Sequence, residues 1–142
     1  MRHKVDIPMV SESGKVLRLL AVDDDASSAE LIVRVAERCG YEAFATSDSR
    51  GVVNLVKALN PDIMALDINM PNIDAVGLLG LLAKAGYEGR ILIVSGEDEA
   101  VLRHTQAVAE GMGLFVPYLQ QKPLDFQKLR AMLMARDVRS AA

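Results

Sequence analysis

The sequence predicts an α/β domain in which a doubly wound, five-stranded parallel sheet is covered by five helices. Short runs rich in Val, Ile and Leu alternate along the chain with longer stretches of helical period. Polar or turn-forming residues follow these short runs, as expected where a buried strand meets a loop. Because crossovers between parallel strands are right-handed, the helices are expected on both faces of the sheet.

Five short apolar runs account for the predicted strands. They are Leu17–Val22, Glu42–Ala45, Ile63–Asp67, Arg90–Val94 and Leu114–Leu119. The run starting at Arg90 is the clearest strand, and the run starting at Glu42 is the weakest.

Five segments with helical period follow these runs. The first opens at Ala26 and stops at Gly40, the third runs from about Asp74 to Ala85, and the fourth covers Asp98–Glu110. The second is closed by Asn60-Pro61, and its apolar residues are Val52, Val53, Val56 and Leu59. The last is expected to point Phe126, Leu129, Met132 and Leu133 inward. Gly77 and Gly80 weaken the third helix by about 1 kcal/mol each relative to Ala.

Length and composition limit the possibilities. A chain of 142 residues with 51% apolar residues fits one domain with one core. We expect a flexible leader at residues 1–15, the domain at 16–137 and a short tail at 138–142. The net charge of −3 and the absence of a basic run argue against nucleic acid as a direct partner.

Cysteine content and hydropathy bear on location. The single cysteine, Cys39, has no partner for an internal disulfide, which is typical of a reducing compartment, and we interpret it as a small apolar residue at a helix end. The sequence contains neither a signal-peptide segment nor an apolar stretch long enough for a membrane span. The expected location is the cytoplasm, with no membrane partner.

Polar side chains that can carry chemistry follow four of the predicted strands. Asp23 and Asp24 follow the first, Asp67 ends the third, Ser95 follows the fourth and Lys122 lies just past the fifth. Since the carboxyl ends of parallel strands meet at one edge of the sheet, these side chains are expected to converge there.

Converging carboxylates repel one another unless a cation lies among them. The available ligands are all hard oxygens, which favours Mg²⁺ over Zn²⁺. Lys122 and Ser95 can contact phosphate oxygens, and Asp67 is placed to act as the nucleophile toward a phosphoryl group. The sequence therefore predicts a magnesium-dependent phosphoryl-transfer site.

Four motifs in this order resemble the receiver domain of bacterial two-component response regulators, which is CheY-like. They are Val22-Asp23-Asp24, Pro61-Asp62-Ile63-Met64-Ala65-Leu66-Asp67-Ile68-Asn69-Met70-Pro71, Ile93-Val94-Ser95-Gly96 and Lys122-Pro123. The resemblance extends from about Leu17 to Arg136. It implies a flavodoxin-like sheet with strand order 2-1-3-4-5 and a signalling switch rather than an enzyme, apart from self-catalysed phosphorylation and dephosphorylation.

The resemblance also implies a role for each site residue. Toward the phosphoryl group these roles are phosphorylation for Asp67, phosphate binding for Lys122, the switch hydroxyl for Ser95 and an open pocket for Gly96. Toward Mg²⁺ they are direct binding for Asp24, water-mediated binding for Asp23 and binding through the backbone carbonyl for Asn69. The bond from Lys122 to Pro123 is often cis in the family.

The sequence departs from the family in the region that transmits the signal. The family usually has an aromatic residue three positions before the lysine, where this chain has Leu119 and places Tyr118 one position earlier. Either a bulge at Gln120-Gln121 restores Tyr118 to that place, or the domain switches without an aromatic residue. Ala75 and Leu124 stand where the family commonly has Gly and an aromatic residue.

The resemblance implies phosphorylation by a histidine kinase or phosphotransfer protein and readout by a downstream effector protein at the fourth and fifth helices. Two alternatives stay open. A degenerate receiver would act as a constitutive protein-binding module. An aspartyl-phosphate phosphatase of the haloacid dehalogenase type would use the Asp-x-Asp spacing of Asp23 and Asp25.

Overall fold

The structure is a computed structural model that describes residues 7–70 and 74–135. Its strands are β1 (Arg18–Val22), β2 (Glu42–Thr46), β3 (Ile63–Asp67), β4 (Arg90–Ser95) and β5 (Phe115–Gln121). Its helices are α1 (Ala26–Arg38), α2 (Val52–Leu59), α3 (Ala75–Lys84), α4 (Glu99–Gly111) and α5 (Phe126–Met134), and a short 3₁₀ turn, Ser49–Gly51, precedes α2. All of the predicted strands and helices are present.

The five strands form one parallel sheet in the order β2-β1-β3-β4-β5. The predicted fold class and strand order are therefore confirmed. The central strands β3 and β4 are buried along their whole length, which explains why their sequences are almost continuously apolar.

The sheet separates two apolar layers because successive side chains of a strand point to opposite faces. Leu20, Leu66 and Ile93 face the layer that contains residues of α2, α3 and α4. Leu19 and Leu92 face the other layer, which contains residues of α1 and α5. The polar residues that follow the strands thereby lie at the edge of a sheet whose central strands are buried.

Aspartate side chains fix the start of four helices. The carboxylates of Asp25, Asp74, Asp98 and Asp125 each accept a hydrogen bond from a backbone N–H in the first turn of α1, α3, α4 and α5. Each N-cap satisfies a backbone donor that the helix itself leaves unpaired. These caps set where each loop ends, including the loops that follow β1 and β4 at the candidate site.

The segment before β1 contacts the domain. Met9 N–H donates to the carbonyl of Gly40 (2.8 Å), Leu17 N–H donates to the carbonyl of Met9 (2.7 Å), and Val10 and Val16 form an isolated antiparallel bridge. Gly40 has a φ of +93°, and a Cβ there would lie 2.5 Å from the Met9 nitrogen. Residues 9–16 thus lie against the domain, whereas the sequence interpretation treats 1–15 as a separate flexible leader.

The predicted inward face of the last helix needs one correction. Leu129 and Leu133 are buried, and Met132 packs at the edge of the same layer. Phe126 is instead 56% exposed, because it belongs to the first turn of α5, residues 125–128, all of which lies outside the core. The predicted leader residues 1–6 and the tail 138–142 lie outside the described residues.

Candidate functional site

Three acidic side chains and one lysine meet at the carboxyl edge of the sheet. Asp23 directly follows β1, Asp67 is the last residue of β3, and Lys122 directly follows β5. Asp23 and Asp67 are buried, whereas Asp24 is exposed. The β-strands themselves therefore position two of the carboxylates, and the predicted convergence of these four residues is observed.

Lys122 lies between the two buried carboxylates. Its Nζ is 3.0 Å from Oδ2 of Asp23 and 3.2 Å from Oδ2 of Asp67. The other oxygen of each carboxylate is held by the loop that follows it, since Asp23 Oδ1 accepts from Asp25 N–H and Asp67 Oδ1 accepts from Asn69 N–H, both at 2.9 Å. Both carboxylates are thus fixed in orientation before any ligand arrives.

Burial and charge act in opposite directions at this cluster. Burial raises the pKa of Asp23, and the charge of Asp67 raises it further, against the Asp25 N–H and the Lys122 ammonium. Burial works to lower the pKa of Lys122, but its close ion pairs with the carboxylates of Asp23 and Asp67 outweigh that effect, and its pKa is raised. Lys122 therefore stays a cation, and the Asp23 carboxylate lacks full compensation for its charge.

The donor set fits a hard divalent cation. Asp23, Asp24 and Asp67 each offer a carboxylate oxygen, and these oxygens all lie within 4.8 Å of one another. The Oδ2 atom of Asp23 is buried and, among the described residues, has no hydrogen bond of good geometry, although Lys122 Nζ is 3.0 Å away. An incompletely satisfied buried carboxylate oxygen among other oxygens is a suitable ligand for Mg²⁺.

Ser95 ends β4 and Gly96 follows it, so both lie at the same edge of the parallel sheet as the acidic cluster. Ser95 is buried, and its Oγ accepts a hydrogen bond from Glu97 N–H at 3.0 Å. The carbonyl of Ser95 accepts from Lys122 N–H at 2.7 Å, so the loops after β4 and β5 are joined directly. A Cβ added at Gly96 would meet no heavy atom of the described residues within 4 Å. The predicted pocket role of Gly96 stays a prediction.

Asn69 is exposed and contacts the cluster through its backbone N–H, which donates to Oδ1 of Asp67. The Lys122–Pro123 peptide bond is cis, as the resemblance implies. Asp25, the second aspartate of the Asp-x-Asp spacing, caps α1 by accepting from Ser27 N–H and from the Ser28 hydroxyl. Its side chain is therefore committed to the helix start.

The pairing of β4 with β5 decides which residue takes the place of the family's aromatic side chain. Arg90 pairs with Phe115 and Leu92 pairs with Tyr118, so β5 contains one extra residue near Val116-Pro117. Beyond this irregularity the register is regular, and Gln120-Gln121 contains no bulge, which rules out the first of the two predicted alternatives.

Leu119 therefore occupies that place. It pairs with Ile93 and packs against the apolar layer of α2, α3 and α4. Tyr118 pairs with Leu92 and packs against the layer of α1 and α5 instead.

A second polar cluster, which the sequence did not predict, lies at the opposite end of β4. The guanidinium of Arg90 is buried and donates to the Tyr41 hydroxyl (3.2 Å), the Tyr118 hydroxyl (3.4 Å) and the carbonyl of Ala135 (3.0 Å). The Tyr41 hydroxyl in turn donates to the carbonyl of Leu133. The cluster ties the end of α5 to the sheet, and an arginine opening an otherwise apolar run is its only signal in the sequence.

Gln120 is also buried within β5, and the sequence did not predict its burial. Its Nε2 donates to the carbonyl of Asp125 at 3.0 Å, and its Oε1 has no hydrogen-bond partner within residues 7–70 and 74–135. This contact links β5 to the residue that caps α5.

The fold and this edge cluster define the class of protein, a receiver-type α/β domain with an acidic site at the carboxyl ends of its strands. The family model described as the response regulator receiver domain matches residues 19–134. The chain therefore belongs to the response regulator receiver family.

Curated relatives of the chain include a response regulator and a transcriptional regulator. The Response regulator MprA of Mycolicibacterium vanbaalenii is 28% identical over 119 residues, which is 84% of this chain and 49% of that protein. The Cell cycle transcriptional regulator CtrA of Caulobacter vibrioides is 29% identical over 83 residues, which is 58% of this chain and 36% of that protein. The chain thus spans about half the length of MprA and 36% of the length of CtrA.

A solved structure supports the same assignment. The crystal structure of a response regulator from Colwellia psychrerythraea has a TM-score of 0.72 and 28% identity, with 82% of this chain and 93% of that chain covered. Within residues 7–70 and 74–135, no helix is long and apolar enough to cross a membrane.

Proposed function

We propose that this domain is a phosphorelay switch that accepts a phosphoryl group on Asp67 from a histidine kinase or phosphotransfer protein. The observation that carries the proposal is the position of Asp67, buried at the end of β3, 3.2 Å from Lys122 and within the cluster of three carboxylates. Membership of the receiver family gives the signalling role, and the arrangement of these side chains favours Asp67 as the acceptor.

The transfer itself needs little from the protein beyond position and charge. An oxygen of the Asp67 carboxylate attacks the phosphorus atom, the bond between phosphorus and the donor nitrogen breaks, and the nitrogen leaves with the bonding electron pair. The product is an acyl phosphate on Asp67. Lys122, which lies beside the attacking carboxylate, would hold one phosphoryl oxygen, and the Ser95 hydroxyl would donate to another after releasing Glu97 N–H.

Mg²⁺ is the proposed cofactor. Asp24 and Asp67 would bind it directly, Asp23 through water, and Asn69 through its backbone carbonyl. When bound, the ion neutralises negative charge that develops on the phosphoryl oxygens. The residues of the chain supply the rest, since Lys122 and the loop N–H groups already orient both buried carboxylates.

The signal would leave through the loop after β4. Phosphorylation adds about −1.5 to −2 charge beside Ser95, judged from other phosphorylated side chains. Since the Ser95 carbonyl also accepts from Lys122 N–H, movement of Ser95 acts on the start of α4 and on the end of β5. The proposed partner is a downstream effector protein that binds the surface of α4 and α5.

We also propose that the domain spans residues 16–137. Its proposed location is the cytoplasm, without direct nucleic-acid or membrane binding.

Incubation with acetyl phosphate or phosphoramidate, with Mg²⁺ or with EDTA, tests the proposal through the intact protein mass. We expect one phosphoryl group per chain, dependent on Mg²⁺ and lost in alkali. No labelling in either condition would favour a constitutive binding module. Continuous hydrolysis of phosphate monoesters that depends on Asp23 and Asp25 would favour the phosphatase, but the capping role of the Asp25 carboxylate argues against it.

A further inference from the structure

Helix α3 presents an apolar face that the rest of the described chain leaves uncovered. The buried residues of this helix are Leu78, Leu79 and Leu82. On its outer side Val76 is 47% exposed and Leu81 is 55% exposed, and Lys84 is the only charged residue of the helix. Helices that are apolar on nearly all sides are usually covered on all sides.

The outer face of α3 carries a line of small residues flanked by apolar ones, and we call this line the groove. At about 3.6 residues per turn, Gly77, Gly80 and Lys84 project along one line, with Val76 and Leu81 on either side of it. Glycines in such a line let a second backbone approach closely, while the flanking Val and Leu side chains supply apolar contact. A second helix is the element that fits this groove.

The part of the chain that the structure describes does not explain the absence of a side chain at Gly80. A Cβ added there would meet no heavy atom of these residues within 4 Å, and the φ of Gly80 does not lie in the left-handed region, so Ala would fit and would favour the helix. Gly77 differs, because a Cβ there would lie 2.8 Å from Oδ2 of Asp74, the side chain that caps α3. Gly80 is therefore the position where close approach from outside accounts for the glycine.

Charge at the two ends of the helix identifies the occupant. Asp74 caps the N-terminus and Lys84 is the last helical residue, and the two are equally far in sequence from Leu79. A twofold axis at the level of Leu79 would cross the two grooves at their glycines and would set Asp74 of each copy beside Lys84 of the other. The helix dipoles would also be opposed. We propose that α3 is the interface of an antiparallel homodimer of this chain.

The size of the face sets the expected strength. A helix of ten residues is about 15 Å long, so a contact centred on it falls below the roughly 800 Å² per partner of a standard interface. The expected dissociation constant is about 10 µM or weaker.

Sedimentation velocity of the full chain from about 1 µM to 1 mM tests the proposal. The sedimentation coefficient should rise with concentration toward that of a dimer, and Leu81→Glu should weaken association about tenfold or more. Phe126→Glu on α5 is the matched control, because Phe126 is 56% exposed and Leu81 is 55% exposed. This control should associate like the unmodified chain.

Gly80→Ala separates a contact from a folding effect. It should raise the melting temperature measured at low concentration and yet weaken the dimer, since the added methyl group fills the groove. A sedimentation coefficient that stays monomeric throughout, even if another protein binds this face, would overturn the proposal. So would association that Phe126→Glu removes and Leu81→Glu leaves intact, or a dimer as tight in Gly80→Ala as in the unmodified chain.

Discussion

The ammonium group of Lys122 lies 3.2 Å from Oδ2 of Asp67, the carboxylate at the end of β3. Because the same ammonium is 3.0 Å from Asp23, it compensates two buried carboxylates at once. Lys122 is therefore a counter-ion of both carboxylates, and under the proposed function it would also bind the phosphoryl group.

Removal of this cation should have opposite effects on metal binding and on phosphorylation. In Lys122→Met the carboxylates lose a competing positive charge, so we expect Mg²⁺ to bind more tightly, by about threefold to tenfold. Phosphorylation by acetyl phosphate should become slower, because a ligand for the phosphoryl oxygens is gone. Calorimetric Mg²⁺ titration and time-resolved mass measurements report the two effects. Weaker Mg²⁺ binding in this variant would contradict the counter-ion role.

The buried carboxylates should make the metal-free domain less stable than a variant with one fewer negative charge in the cluster. We expect Asp23→Asn to raise the free energy of unfolding at pH 7 without Mg²⁺ by about 1 kcal/mol, because one of the clustered charges is removed. Mg²⁺ at ten times its dissociation constant should stabilise the unmodified protein by about 1.4 kcal/mol. Urea unfolding of both proteins with and without Mg²⁺ measures this. Equal stabilisation of both by Mg²⁺ would show that Asp23 takes no part in binding.

The position of Leu119 on β5 leads to an expectation about switching. Leu119 faces the layer of α4 but is smaller than an aromatic residue and lacks a hydroxyl, while Tyr118 faces the other layer beside Arg90. We expect the phosphoryl mimic beryllofluoride to change hydrogen exchange from Ser95 to about Val101 and to change β5 little. A large change confined to Tyr118 would contradict this assignment.

Much of the site follows from the sequence because its residues stand at the ends of strands. Asp67 ends a fully buried strand and Asp23 follows another, so the parallel topology alone brings their carboxylates to one edge. The irregularity in β5 had only an indirect signal in Pro117, since proline lacks the N–H that a regular strand uses.

Contacts between distant residues are what the sequence could not provide. Arg90 and Tyr41 are 49 positions apart, and neither belongs to a recognisable motif. The contact of Met9 with Gly40 is equally non-local, and the loss of regular period before β1 suggested a leader instead. Local periodicity predicts elements and strand ends, whereas such tertiary pairs depend on how loops and helix ends pack.

The Arg90 cluster should contribute measurably to stability. Tyr41→Phe removes the hydroxyl that accepts from Arg90 and donates to Leu133, which leaves buried polar groups unpaired and should cost about 1–3 kcal/mol. Tyr118→Phe is the matched control and should cost less, because its hydroxyl lies 3.4 Å from Arg90 and the residue is only half-buried. Urea unfolding compares the two variants. Equal losses would assign the effect to the loss of any tyrosine hydroxyl.

The same cluster gives a pH dependence. Burial raises the pKa of Tyr41 above 10.0, against the opposing charge of Arg90, so the neutral phenol is favoured in the folded state. The stability contributed by this group is present below pH 10.0 and is lost as the pH rises through the native pKa. Tyr41→Phe should therefore lose less stability than the unmodified protein between pH 9 and 11. Parallel alkaline losses in both proteins would contradict this role.

The most direct test of the central claim is to locate the phosphoryl group. Treatment of the phosphorylated protein with borohydride reduces an aspartyl phosphate to homoserine, and peptide mass spectrometry then identifies the residue. We expect homoserine at position 67 in the unmodified protein and none anywhere in Asp67→Asn, which keeps the shape of the side chain and should leave the fold intact. Homoserine at Asp23 or Asp24, or stoichiometric labelling that survives in Asp67→Asn, would contradict the account.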